Sequence, residues 1–147
     1  MRRLTKKGDI PNINILVDIC NLVSIRYALP VAAFDTRALA TPVTVHFAAG
    51  ADRFTPLGES QVEHPDPGEV IFSDMTGLVI ARRRCWRQSA ESAARLVTWE
   101  AFFTIEAQHP GVASDVQSAL VDLLGLLEAY AGGRYTAALL GPQQSQI

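Results

Sequence analysis

The sequence predicts an α+β fold, a mixed or mostly antiparallel sheet layered with two main helices. Three observations predict it. Apolar side chains cover most of a helical circumference near residues 14–28, a second helical pattern spans 114–131, and short β-branched or aromatic runs punctuated by Gly, Pro and Asp lie between them. A chain of 147 residues with 48% apolar content supports one domain with a substantial core.

Residues 1–11 carry Arg2, Arg3, Lys6 and Lys7 and close on Gly8-Asp9-Ile10-Pro11, the composition of an exposed lead-in. In the helix that follows, within Asn12–Leu29, Ile15, Leu16, Val17, Ile19, Cys20, Leu22, Val23 and Ile25 leave a narrow polar strip of Asn14, Asp18 and Asn21. A mostly buried helix is expected, with those three side chains either tying nearby loop backbone or contacting a ligand. Pro30 ends the helix.

Alternation over Pro42–Ala48 reads as a strand that places His46 on the less apolar face, solvent-facing or cross-strand. Residues 49–68 read as a loop with Phe54 and Leu57 as apolar anchors and at most a short strand. The Pro65-Asp66-Pro67-Gly68 turn launches a strand over 69–74, and a turn at Thr76-Gly77 returns the chain through 78–87 as a hairpin. Part of 96–108 is expected to be a strand. The last helix is predicted to start at Ser114 as N-cap and to bury Val116, Leu120, Leu123, Leu124, Leu127 and Tyr130, with Gly132-Gly133 as its stop and a disordered tail over 141–147.

A net charge of -2 argues against bulk electrostatic binding of nucleic acid and leaves room for a local basic site. Cys20 and Cys85 have neither disulfide-framework nor zinc-site spacing, and no apolar run has membrane length. These features predict a cytoplasmic protein with no membrane contact, metal or cofactor. No nucleophile elbow, Cys/His pair, phosphate-cradling glycine loop or metal-ligand cluster is visible.

The densest candidate for chemistry is Arg82-Arg83-Arg84-Cys85-Trp86-Arg87. On a strand, Arg82, Arg84 and Trp86 would face one side and Arg83, Cys85 and Arg87 the other. Guanidinium groups beside an indole suit a phosphate and a stacked base. The competing reading is a charge-protected sheet edge.

The pattern Ile-Asn-x-x-Val-Asp-x-x-Asn over residues 13–21, followed by Pro30-x-x-Ala33-Phe34-Asp35, resembles the B3/B4 editing domain of the phenylalanyl-tRNA synthetase β subunit. It is closer still to free-standing B3/B4-domain proteins, which share Ser24, Arg26, Leu29 and an Arg-Arg-x-x-Trp-Arg run. The resemblance extends through about Glu106. It implies an aminoacyl-tRNA editing-like domain that binds the acceptor end of tRNA, or a small amino-acid-like ligand, and deacylates a mischarged tRNA in trans. Alternatives are a non-catalytic binding module and an inactive shortened copy. By this resemblance Arg83, Trp86, Arg87, Asn14 and Asn21 are substrate or RNA contacts, and Glu106, or alternatively Glu100, is the catalytic carboxylate, the one that reads the amino acid and helps place a water at the ester. The editing domain's histidine falls on Ala32 and its Gly-Val-Met-Gly-Gly turn on Arg83–Arg87, so both features are missing. Free-standing relatives also carry an N-terminal helical segment, and its expected absence here would leave apolar surface for homo-oligomer formation.

Overall fold

The structure, a computed structural model, describes residues 10–83, 85–109 and 111–146. The expectations for the basic lead-in, for the side that Arg84 faces and for Ile147 lie outside the described residues. Helix α1 spans Ile15–Tyr27, followed by β1 (Val31–Asp35), a 3₁₀ turn (Thr36–Ala38), β2 (Thr44–Phe47), β3 (Val70–Ser73), β4 (Val79–Arg82), β5 (Arg87–Gln88), β6 (Ala101–Ile105) and α2 (Val112–Tyr130). Strands β1 and β6 pair with each other, and the second sheet has the order β2-β3-β4-β5. All of these pairings are antiparallel, so the fold is α+β.

Side chains alternate across a strand, and this alternation builds three layers. In the β1–β6 register Val31 and Ala33 oppose Ile105 and Phe103, whereas Ala32 and Phe34 oppose Thr104 and Phe102. The first set meets the helices, in clusters with Ile19, Val23, Leu29, Ala119, Leu123 and Leu127 and with Cys20 and Ala94. The second set meets Phe72, Ile80, Ala81 and Cys85 of the four-stranded sheet and its β4–β5 turn, and the Phe34 and Phe102 rings stack with centroids 5.8 Å apart. A smaller cluster of Ala48, Phe54, Ile71 and Val79 fills the space under the 49–68 loop.

Asn14 caps α1: its Oδ1 accepts from Val17 N at 3.0 Å and its Nδ2 donates to Ala94 O at 3.0 Å. Asp18 accepts from Ile13 N at 3.0 Å. Those two residues therefore tie backbone, while Asn21 sits half-buried one turn further on. The helix is less enclosed than its circumference predicts. Ile19, Cys20 and Val23 are buried, but Ile15, Leu22 and Ile25 are exposed, because β1 and α2 cover only one side.

Other boundaries also move. The N-cap of α2 lies three residues earlier than predicted, at Gly111, and Ser114 Oγ donates back to Gly111 O at 2.9 Å instead of capping. Gly132 and Gly133 adopt positive φ after the last turn, and Gly132 N donates to Leu127 O at 2.8 Å. Ala119, Leu123 and Leu127 are buried, whereas Tyr130 is exposed. On β2, His46 makes the cross-strand contact, Nε2 to Ser73 Oγ at 2.7 Å, while Val45 and Phe47 are the side chains left in solvent. Phe54 is a fully buried anchor, but Leu57 is exposed. The 141–146 segment is exposed and makes a turn closed by Gly141 and Gln144. No described helix is long and apolar enough to cross a membrane.

Asn14→Ala removes a cap and orphans the Ala94 carbonyl, so it should lower the unfolding free energy by about 2 kcal/mol in urea titrations. Arg26→Ala, which breaks the exposed 2.6 Å pair with Asp122 on α2, should cost less than about 1 kcal/mol. Equal losses would contradict the anchoring role of Asn14.

Candidate functional site

The Arg82–Arg87 run is not one strand. Strand β4 ends at Arg82 and β5 begins at Arg87, and these two residues pair in register across a tight turn. Arg83 and Cys85 take the left-handed conformation in that turn, with φ of +53° and +55°. Strand alternation therefore does not apply to Arg83, Cys85 and Trp86. Arg83 is exposed, Trp86 is 72% exposed, and the Cys85 side chain between them is buried.

Two cations facing each other across the base of a hairpin repel, and here carboxylates resolve the repulsion. The Arg82 side chain, 4% exposed, donates Nε and Nη2 to Glu69 at 2.8 and 2.6 Å and Nη1 to Glu63 at 2.9 Å. Arg87 donates Nη1 and Nη2 to the same Glu63 at 2.8 and 3.0 Å. Both guanidinium carbons stand 5.5 Å from the Phe54 ring centroid, a cation–π arrangement. The hydrogen bonds from Arg87 to Glu63, and from Arg82 to Glu69, hold both carboxyls below the ordinary glutamate range. Arg87, expected as a ligand contact, is thus committed to Glu63, and among the described residues of the turn Arg83 and Trp86 are the side chains presented outward.

Glu106 follows β6, and its N–H donates to Pro30 O at 3.0 Å. Continuing the β6 alternation places its side chain on the Phe102–Thr104 face, toward the turn. Cys85 Sγ lies 3.5 Å from Thr104 Oγ1. Burial pushes the Cys85 thiol well above its usual range, and the charge of Glu106 and a hydrogen bond to its carboxylate push it further, against a smaller opposing effect of Thr104. Ala32, opposite Thr104 in register, is buried in the same cluster. The structure therefore brings together three features that the sequence shows far apart: Ala32, the Arg83–Trp86 turn and Glu106.

Beyond Glu106 lies an open cleft of about 260 Å³ lined by Ala28, Leu29, Pro30, Glu106, Ala107, Gln108 and His109. His109 was not singled out from the sequence. Its Nε2 stands 3.5 Å from Asp115 Oδ2 at the start of α2, and the only available sequence signal is the Glu106-x-x-His109 spacing ahead of a glycine-capped helix.

Glu100, the alternative to Glu106, sits exposed at the opposite end of β6. Its carbonyl accepts from Thr36 N at 3.1 Å, close to Asp35. That carboxylate accepts from Arg37 Nε and Nη2 at 2.9 and 2.6 Å, and from Thr98 Oγ1 at 2.7 Å. The hydrogen bonds from Arg37 outweigh burial and hold Asp35 well below the usual carboxylate range. This is a strap at the far end of the β1–β6 pair. Asn14 lies at the N-terminal end of α1, bonded to Ala94, so it is not part of the Glu106 cluster. Among the described residues no group of three His, Cys, Asp or Glu side chains is placed to hold a metal ion.

Residues 1–123 match the B3/4 domain family, and the chain belongs to it. Over 81 residues it is 31% identical to the phenylalanine–tRNA ligase beta subunit of Shewanella oneidensis, a match covering 55% of this chain and 10% of that one. The chain thus spans about a tenth of the length of that relative. The crystal structure of an N-terminal fragment of the phenylalanyl-tRNA synthetase beta-subunit from Pyrococcus horikoshii has the same fold, with a TM-score of 0.66 at 13% identity over 79% of this chain and 40% of that one.

Neither cysteine is a nucleophile, because burial pushes Cys20 up to about 12 and Cys85 higher still, far from the thiolate that such chemistry needs. A disulfide reagent at pH 8 should therefore label neither thiol in the folded protein and both in denaturant; rapid native labelling of Cys85 would contradict its burial. Asp35, lowered in the folded state, contributes stability that is fully present above its unfolded value of about 3.9 and is lost as pH falls through the folded one. Asp35→Asn should flatten the acid limb of a stability–pH curve below about pH 4, and an unchanged limb would contradict the strap.

Proposed function

We propose that this B3/4 domain binds the aminoacylated 3′ end of a tRNA, with the Arg83–Trp86 turn and Glu106 as its contact surface. The observation that carries the reading is convergence: Cys85 anchors the turn against Thr104, two residues before Glu106, so an outward guanidinium, an outward indole and a carboxylate share one end of the β1–β6 pair. Trp86 offers a π-face to a terminal base and Arg83 a cation to a phosphate. Glu106 suits an ammonium or hydroxyl of the esterified amino acid. Arg82 and Arg87, neutralised by Glu63 and Glu69, hold the base of the turn. With a tRNA as ligand, the reading carries a cytoplasmic location and reduced Cys20 and Cys85.

Deacylation in trans extends the reading, with water attacking the ester in a site that orients it and assists the developing charge. A binding module without hydrolysis is the second reading. It is favoured by Ala32, which stands buried where the editing domain's histidine falls, and by the non-glycine turn.

Aminoacyl-tRNA binding measured by anisotropy across a salt series separates these contacts. Trp86→Ala should weaken binding by about 1–3 kcal/mol. Arg83→Gly, which keeps the left-handed turn and removes the cation, should reduce the slope of log affinity against log salt by about 0.7. Absence of tRNA binding by the wild type at low salt would overturn both readings.

A further inference from the structure

Strand β6 has one open edge. Thr36 N donates to Glu100 O at 3.1 Å and Glu106 N to Pro30 O at 3.0 Å, so the even-numbered residues from 100 to 106 point their backbone groups at β1. Ala101, Phe103 and Ile105 therefore turn their N–H and C=O groups to the other side, where no strand is paired among the described residues. The matching edge of β1 is covered, since Asp35 N donates to Ser92 O at 2.9 Å. The open edge of β6 lacks the usual protection against pairing: the strand has no charged residue, proline or bulge, and each of its residues is only half-buried.

A strand-like segment of the same chain has no sheet to join. Arg134-Tyr135-Thr136-Ala137-Ala138-Leu139-Leu140 follows the Gly132-Gly133 stop of α2 and ends at Gly141-Pro142, the punctuation of a strand. It is exposed throughout and forms no helix, strand or turn. Among the described residues none of its backbone groups is hydrogen-bonded to another backbone group, and Tyr135, Leu139 and Leu140 present large apolar side chains to solvent.

We propose that residues 134–140 of a second copy add to β6 as an antiparallel strand, each copy giving its segment to the other. With Ala137 opposite Phe103, the register sets Tyr135 against Ile105, Thr136 against Thr104 and Leu139 against Ala101. Aromatic then meets β-branched, threonine meets threonine, and small residues meet large ones. The free backbone groups of Ala101, Phe103 and Ile105 pair with those of Leu139, Ala137 and Tyr135. Charge fits as well. Arg134 is the one charged side chain from 131 to 147, and it arrives at the Glu106 end of a strand flanked on both sides by glutamate, Glu100 and Glu106. Within one chain the segment lies off its own β6, so the edge is filled by reciprocal exchange about a two-fold axis. This inference is independent of the aminoacyl-tRNA reading.

The full chain, followed by light scattering over a dilution series from millimolar to micromolar, tests it. The wild type is expected to weigh as two chains at the concentrated end. Ala137→Pro, in a segment outside the fold of its own chain, removes a donor to Phe103 O. It should raise the dimer dissociation constant by about tenfold or more, because the bond is lost at both added strands, and should leave the far-UV spectrum unchanged. Arg134→Glu should also weaken the dimer, by a margin that shrinks with added salt. A wild type that stays a single chain at millimolar concentration would overturn the proposal, as would a dimer that Ala137→Pro leaves intact. Cysteine substitution then reads the partner directly. A101C mixed with L139C should give a disulfide-linked pair of chains, because opposed residues of a hydrogen-bonded pair stand about 5.5 Å apart, within disulfide reach. No bridge in the mixture would overturn the exchange; a bridge inside single chains of the double variant would then place the segment on its own β6.

Discussion

Strand β1 has both faces buried, and the rest of the molecule is arranged to satisfy that constraint. Ala32, Ala33, Phe34 and Asp35 are all buried, so one face must be covered by helices and the other by a sheet, with no solvent side. Small side chains at 32 and 33 let both layers approach closely, while Phe34 fills the sheet side against Phe102. Strand β6, far away in sequence, supplies the pairing that β1 lacks locally. Because β6 obeys the same alternation, whatever extends from its end is delivered to a defined layer, and Glu106 arrives on the side of the β4–β5 turn.

The turn shows how this domain departs from the pattern that it resembles. A glycine-rich turn reaches left-handed conformations at no steric cost, whereas here Arg83 and Cys85 adopt them, at about 1–2 kcal/mol each. Compensation is visible on both sides. Cys85 is buried between the sheets, and Arg82 and Arg87 are clamped by Glu63 and Glu69 over Phe54. The outcome is a projecting cation and indole where the glycine turn would present bare backbone. Ala32, meanwhile, leaves no side-chain functional group at the position of the editing histidine. In the proposed reading, recognition at this end of the domain falls to groups supplied from β6 and from the β4–β5 turn.

Legibility of the sequence followed the range of the physics. Helix α1, the β3–β4 hairpin and the glycine stop of α2 rest on local periodicity and turn chemistry, and these were readable. The Arg82–Arg87 run was misread as a strand, because nothing local marks non-glycine residues in left-handed conformation; tertiary anchoring of Cys85 and ion pairs from Glu63 and Glu69 impose it. Covering of α1 was overestimated because an apolar circumference records composition and not which neighbours arrive. Glu106 was a candidate through family resemblance. His109, which lines the neighbouring cleft, was not, since its contact with Asp115 and the shared wall with Pro30 exist only in three dimensions.

In the proposed reading the Arg83–Trp86 turn and Glu106 form one surface for an aminoacylated RNA end. Amide and indole chemical shifts of the isotopically labelled chain, followed while an acceptor-stem RNA carrying a 3′-aminoacylamido group is titrated in, test it directly. Perturbations are expected to concentrate on Arg83, Cys85, the Trp86 indole and Glu106, with the Asp35–Thr98 strap at the opposite end of β1–β6 left unmoved. Perturbations centred on that strap, or none at all, would contradict it.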